Sequence, residues 1–334
     1  MCFMSCFRPL HAFPYDSNSS KFGQYRVYSH TINIAPSVDL KTGQLLEQID
    51  IPCGKCVGCR LDYSRQWATR MVMESMLYKH NYFITLTYSN EYMDSMPEKY
   101  KNVDGAYTLY PNDLSAFIKR LRRKFEYELD HVGVRFYACG EYGSKTFRPH
   151  FHICLFNAPI PDCIQVGNNK IGQPLFDSNF VSSLWPCGHI CIGELNWQTC
   201  AYTARYTMKK AGGQDAEYYR ELNLNPEFVR MSRRPGIGFD YFCDHQDSFF
   251  DNDKIVLPAT SKDKRNVQKI PTYFVKKMQD LDPVSVASSK ARRAEAGRLY
   301  HEAKMSKIGL EEEEYFELEE RRCSDRLKSL IREI

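Results

Sequence analysis

Arg148-Pro149-His150-Phe151-His152-Ile153-Cys154-Leu155-Phe156 is the stretch on which the reading of this chain turns. Two histidines flank one bulky apolar residue and run on into a further apolar segment, the pattern of a β-strand. Side chains alternate faces along a strand, so His150 and His152 point one way and Phe151 points into the other layer. Two imidazoles on one face make a natural pair of metal ligands. The same spacing also fits two ordinary surface or core histidines, so the neighbouring segments carry the argument.

Upstream, Val132-Gly133-Val134-Arg135-Phe136-Tyr137-Ala138-Cys139 is rich in β-branched and aromatic residues and predicts a strand. Gly140-Glu141-Tyr142-Gly143 follows, which puts Glu141 near the end of that strand, before a short loop to an antiparallel neighbour. A carboxylate beside two imidazoles, with open positions left, suits Mg²⁺ or Mn²⁺ holding a phosphate oxygen. By itself Glu141 reads equally as a solvated turn residue. Downstream, Tyr202, Tyr206 and Lys210 recur at helical spacing and share one stripe if the segment is helical. An amphipathic helix explains that stripe too, in a chain with 22 tyrosines. Two hydroxyls and an ammonium on one face also suit nucleophilic attack on phosphorus, since tyrosine forms covalent enzyme intermediates.

In chain order these features are the Thr-rich strand Tyr82-Phe83-Ile84-Thr85-Leu86-Thr87-Tyr88, a Glu before a Gly turn, His-Phe-His, and Tyr-x3-Tyr-x3-Lys. The ordered set resembles the HUH endonucleases that start rolling-circle replication, and most closely the initiators of small single-stranded DNA phages of the microvirus group and its gokushovirus-like branch. Cys53-Gly54-Lys55-Cys56-Val57-Gly58-Cys59-Arg60 and Met231-Ser232-Arg233-Arg234-Pro235-Gly236-Ile237-Gly238 are similar as well, so the likeness spans roughly residues 50 to 240. The resemblance implies metal ligands at Glu141, His150 and His152, nucleophiles at Tyr202 and Tyr206, and assistance from Lys210. It implies a ferredoxin- or RRM-like sheet with the histidine strand central and the tyrosine helix over its open face. It also implies single-stranded viral DNA and the replicative-form origin as substrate, with host helicase and DNA polymerase as partners.

Composition is that of a folded chain: 43% apolar, 13% aromatic and 26% charged, in a length that buries one large core or two modest ones. No apolar run reaches the roughly 18 residues of a membrane span. Met1-Cys2-Phe3-Met4-Ser5-Cys6 lacks the basic-then-apolar order of a signal peptide, so the host cell cytoplasm is the expected location. The net charge of +4 says little about nucleic acid, so local clustering matters more.

The expected class is α+β, a central largely antiparallel sheet with flanking helices. Residues 1–60 read as an N-terminal extension carrying a Cys-rich knuckle, 61–243 as the catalytic domain, 244–287 as a mixed segment and 288–334 as a charged helical tail. A helix over about 61–78 carries Tyr63, Trp67, Met71 and Tyr78 on one stripe. A second, opened by Pro111-Asn112-Asp113, buries Leu114, Phe117, Ile118, Leu121 and Phe125. Its other positions hold Lys119, Arg120, Arg122, Arg123 and Lys124, a solvated face or a phosphate-contacting one. Residues 157–180 read as an insertion or loop.

Thirteen cysteines in such a chain read as thiols or metal ligands rather than a disulfide framework. Cys53, Cys56 and Cys59 suit structural zinc, with Cys2 or Cys6 returning from the extension as the fourth ligand and Cys2 placed in the set. An iron–sulfur cluster uses the same spacing, and free thiols are the plain alternative. A non-catalytic single-stranded nucleic-acid-binding protein with an RRM-like sheet is the rival to the enzyme, its histidines and tyrosines then serving as a stacking platform.

Overall fold

The histidine stretch forms a strand, Pro149–Phe156, paired along both edges. This computed structural model describes residues 6–14, 25–28, 38, 43, 49–98, 101, 107–143, 146–205, 214–261 and 264–328. In chain order, β1 (Leu10–Pro14), β2 (Tyr25–Tyr28) and β3 (Ile49–Ile51) precede α1 (Val57–Ser75), β4 (Asn81–Tyr88), α2 (Asn90–Asp94), α3 (Pro111–Leu129), β5 (Arg135–Tyr142) and β6 (Pro149–Phe156). Next come β7 (Ile164–Asn168), β8 (Pro174–Asp177), α4 (Asn179–Ser182), β9 (Gly188–Glu194), α5 (Trp197–Arg205), α6 (Gln214–Glu221) and β10 (Phe228–Met231). The chain continues with α7 (Phe239–Asn252), β11 (Ile255–Ser261), β12 (Lys264–Gln268), α8 (Thr272–Leu281), α9 (Pro283–Ile308) and α10 (Glu312–Lys328). The described parts of 1–62 and 290–328 fall in one compact unit and those of 63–289 in another.

In the second unit a seven-stranded antiparallel sheet runs β10-β5-β6-β4-β9-β8-β7. Its inner four strands connect as β4-α3-β5 with β6 laid between the two strands, and β9 on the far side of β4. This is the split βαβ arrangement of ferredoxin-like sheets, so the expected α+β layout is the one observed. β6 is interior, as expected of the histidine strand, and β4 is the middle strand.

The alternation read from the sequence divides the core. Phe151, Ile153 and Leu155 join Ile84, Leu86 and the α3 stripe of Leu114, Phe117, Ile118, Leu121 and Phe125 on one face. Cys154 and Phe156 join Phe83, Tyr137, Met71, Tyr202, Phe242 and Phe274 on the other. The α3 stripe is therefore buried as its period predicts. On α1, Met71 is buried while Tyr63 stays 45% exposed, edge-on to Trp67, so the stripe expected there is only partly a core stripe.

Three segments differ from the sequence reading. The strand expected over 132–139 is shifted to Arg135–Tyr142, so Gly140 and Glu141 lie within it rather than in a turn. The cause is the edge strand β10, which pairs Phe228 with Gly140. A Cβ on Gly140 would come within 2.6 Å of the Phe228 ring, so the glycine makes room for an aromatic side chain. The turn lies further on, closed by the Phe147 N–H to Gly143 carbonyl bond at 2.9 Å. Residues 157–180, expected as a loop, contain β7 and β8, which extend the sheet beyond β9. Ile164 and Val166 are both 66% exposed at that edge, so no buried face marked these strands in the sequence. Residue 243 lies inside α7, whose Phe242, Phe249 and Phe250 pack in the same core as Met71.

The Met231–Gly238 stretch is a loop fastened by buried charge. The Glu74 carboxylate pairs closely with Arg135 and accepts the Gly238 N–H at 2.6 Å. Arg135 also donates to the Pro235 carbonyl at 2.7 Å, and Arg70 donates to the Ile237 carbonyl at 3.0 Å while lying over the Trp67 and Tyr273 rings. Gly238 has φ +74°, and a Cβ there would press on the Arg70 backbone at 2.7 Å. Replacing Glu74 leaves the buried Arg135 without its counter-charge. Glu74→Gln is therefore expected to cost about 3–5 kcal/mol of stability in denaturant melts, and a change within about 0.5 kcal/mol would refute this role.

Candidate active site

Strand register assembles the site. Across β5 and β6, Glu141 is paired with His150 and Cys139 with His152. Across β4 and β6, Thr85 is paired with His152 and Thr87 with His150. Directly paired residues project from the same face of a sheet, so Glu141, both histidines and Thr85 converge on the face away from α3. One carboxylate oxygen, Glu141 Oε1, stands 2.7 Å from His150 Nε2 and 2.8 Å from His152 Nε2. Glu141 and His152 are buried. The His150 side chain keeps 17% exposure and is the open side of the cluster.

The second nitrogens of the rings are occupied. His150 Nδ1 lies 3.0 Å from the Arg148 carbonyl oxygen, which only accepts, so that nitrogen carries the proton and Nε2 of the neutral ring presents a lone pair to Glu141. His152 Nδ1 meets the Thr85 hydroxyl at 3.0 Å, and its ring stacks on Phe83 at 5.3 Å. Burial raises the pKa of the Glu141 carboxyl, but hydrogen bonds to His150 and His152, and their charge, outweigh it and bring the value down to about 2. Burial lowers His152, opposed in part by Glu141. An anionic oxygen and imidazole lone pairs aimed at one point, their ligand atoms within 4.8 Å of one another, form a donor set that fits a divalent cation.

Tyr202 completes the cluster from α5. That helix is capped by Asn196, whose side-chain oxygen accepts the N–H groups of Gln198 and Thr199 at 2.9 and 3.1 Å. It is held to β6 by Thr203, whose hydroxyl meets the Cys154 thiol at 3.5 Å. The Tyr202 hydroxyl donates to Glu141 Oε1 at 3.2 Å and stands 3.4 Å from His152 Nε2. The Arg205 guanidinium lies 5.4 Å from the Tyr202 ring. Tyr206 and Lys210 lie outside the described residues. Thr85, Phe83 and Arg205 escaped the sequence reading as site residues. Only the register of β4 against β6 marks the first two, and only the placement of α5 marks the third.

The five cations of α3 are not at this cluster, because α3 covers the opposite face of the sheet. Arg120 donates to the Leu184 carbonyl at 2.9 Å and Arg122 to the Val134 carbonyl at 3.0 Å. Lys124 reaches the Ser183 hydroxyl at 2.8 Å, while Lys119 and Arg123 are exposed. In the first unit, the thiols of Cys53, Cys56 and Cys59 gather with Cys6, and Cys2 lies outside the described residues.

The donor set makes a direct prediction. Mn²⁺ titrated into the protein should bind at one site, followed by calorimetry or electron paramagnetic resonance, and Glu141→Gln should weaken it strongly. Thr85→Val keeps the side-chain shape but removes the hydroxyl on His152, and should weaken Mn²⁺ by about 10-fold or more. Unchanged affinity in both variants would place the ion elsewhere.

Comparison with known proteins places this geometry in context. The family model for the replication-associated protein ORF2 matches residues 81–211, the segment that carries β4, β5, β6, β9 and α5. The replication-associated protein ORF2 of Spiroplasma virus 4 is 36% identical over 278 residues, covering 83% of this chain and 81% of the relative. The replication-associated protein VP4 of Bdellovibrio phage phiMH2K is 31% identical over 240 residues, 70% of this chain and 69% of the relative. The replication-associated protein ORF4 of Chlamydia phage 1 is 27% identical over 214 residues, 62% of this chain and 49% of the relative. No solved structure matches the chain. The extent of these matches shows that the chain belongs to the family of replication-associated proteins of small single-stranded DNA phages.

Proposed function

We propose that this protein initiates replication of its phage genome as an HUH-type endonuclease, cutting one strand at the viral origin and later rejoining it. The observation that carries this reading is the Tyr202 hydroxyl within hydrogen-bond reach of the Glu141 oxygen that both histidines also approach. A nucleophile and a cation-binding donor set then share one site.

Glu141, His150 and His152 would hold Mg²⁺ or Mn²⁺, which supplies Lewis-acid polarisation of the scissile phosphodiester. The protein's own groups do the rest. Tyr202 attacks phosphorus, a tyrosyl O–P bond forms and the P–O3′ bond breaks. The hydroxyl proton leaves along the hydrogen bond to Glu141 or His152, and the departing O3′ takes up a proton, so the step balances. The product is a 5′-phosphotyrosine and a free 3′-OH that primes synthesis. Arg205, beside Tyr202, is placed to offset charge on the phosphate. Tyr206, one helical turn further along the sequence, would cut the regenerated origin, with Lys210 assisting, and the freed 3′-OH would close the displaced strand into a circle. The ester keeps the energy of the bond it replaced, so rejoining needs no nucleoside triphosphate. The chain has no Gly-x4-Gly-Lys-Ser/Thr phosphate loop. Unwinding and polymerisation would fall to host helicase and DNA polymerase in the host cytoplasm. No helix among the described residues is long and apolar enough to cross a membrane.

Single-stranded oligonucleotides tiled across the phage genome test the proposal with Mn²⁺ present. A covalent adduct on a denaturing gel is expected for at least one of them. Tyr202→Phe combined with Tyr206→Phe should abolish it, and His152→Ala should reduce it by about 100-fold or more in a protein that still folds. Tight binding to every oligonucleotide without any adduct would sink the endonuclease reading in favour of a non-catalytic binding protein.

A further inference from the structure

The described residues contain a second set of converging metal-type donors, chemically unlike the first. Cys6, Cys53, Cys56 and Cys59 bring their sulfurs within 4.8 Å of one another. None is in a disulfide. The Cys53 and Cys59 sulfurs are 4.0 Å apart, as are those of Cys56 and Cys6, whereas a disulfide bond would measure about 2.05 Å. A tetrahedron of thiolates each about 2.3 Å from a central ion has edges of about 3.8 Å. The observed spacing is close to that figure.

The backbone around the thiols is arranged for negative sulfur. The Cys53 N–H donates to Cys6 Sγ at 3.2 Å, the Cys56 N–H to Cys53 Sγ at 3.3 Å, and the Cys59 and Phe7 N–H groups each to Cys56 Sγ at 3.5 Å. A neutral thiol is a weak acceptor, so this convergence of amide donors makes sense for thiolates. Gly54 has φ +71° with nothing within 4 Å of an added Cβ, so the backbone turn and not lack of space calls for glycine there. The positive end of α1 adds to the effect. Cys56 immediately precedes α1, Cys59 lies in its first turn, and that turn has no acidic residue to meet the helix dipole.

We propose that Cys6, Cys53, Cys56 and Cys59 form a closed tetrathiolate site for one Zn²⁺. The all-sulfur set excludes Mg²⁺ and Mn²⁺, which take oxygen ligands. Four sulfurs mutually this close enclose a single ion, whereas an iron–sulfur cluster spreads its cysteines around a core of several atoms. Binding displaces the thiol protons to solvent and leaves no open position, so the site is structural. Its consequence is to tie the segment before β1 to the start of α1 across the 47 residues between Cys6 and Cys53. The proposal stands independently of the endonuclease reading, since it uses none of the same residues.

Elemental analysis of the untagged, purified chain tests it. About one zinc per chain is expected, and growth with Co²⁺ should give the sulfur-to-cobalt charge-transfer bands of a tetrathiolate. Cys56→Ser and Cys6→Ser should each lower the zinc content to under about a tenth. Cys6→His, which zinc accepts as a ligand, should restore it and guards against a variant that simply does not fold. Cys2→Ser and the exposed Cys243→Ser should leave it unchanged. A folded wild-type chain without zinc, or one holding iron with a visible cluster spectrum, overturns the proposal. Loss of zinc in Cys2→Ser with retention in Cys6→Ser overturns the assignment of Cys6.

Discussion

The pairing of β6 between β4 and β5 is the constraint on which the second unit depends. Hydrogen bonds along both edges lock His150 opposite Glu141 and Thr87, and His152 opposite Cys139 and Thr85. Because side chains alternate, a slip of one residue would carry both histidines to the α3 face and Phe151 to the other. Phe151, Ile153 and Leu155 resist that slip, since each is wholly buried against the α3 side of the core. The hydrophobic layer on one face of the sheet thus holds the polar cluster on the other in place.

That division of labour also orders the helices. α3 gives its apolar stripe to one face, and several of its cations are taken up by neighbouring carbonyls and hydroxyls. α5 covers the other face and lowers Tyr202 onto the Glu141–His152 pair. The loop over residues 231–238 is fastened through Glu74, Arg135 and Arg70 and not by apolar burial. The Tyr273 ring crowds Gly236 and the Arg70 backbone crowds Gly238, so both positions lack room for a side chain.

Two donor sets of opposite character emerge from one chain. Glu141, His150 and His152 are a hard, partly open set beside a hydroxyl nucleophile. Cys6, Cys53, Cys56 and Cys59 are a soft, closed set with amide donors turned toward the sulfurs. The first suits a cation that must still hold a phosphate oxygen. The second suits an ion that does nothing but hold the chain.

Much of this was legible in the sequence, wherever a property depends on local period. The β-alternation through Phe151, the buried stripe of α3 and the Cys-x-x-Cys spacing follow from the repeat of strand, helix and turn, and neighbouring residues suffice to set them. Tertiary structure decided the rest. The position of Glu141 within β5 depends on β10, whose Phe228 needs the space at Gly140. The placing of Thr85 against His152 depends on the register of β4. The presence of Cys6 among the thiols depends on a chain return from far away in sequence, and the side of the sheet taken by the basic helix depends on how the whole layer closes. These are matters of register and space between distant segments, where the energy lies in non-local hydrogen bonds and close packing that no local pattern of residues encodes.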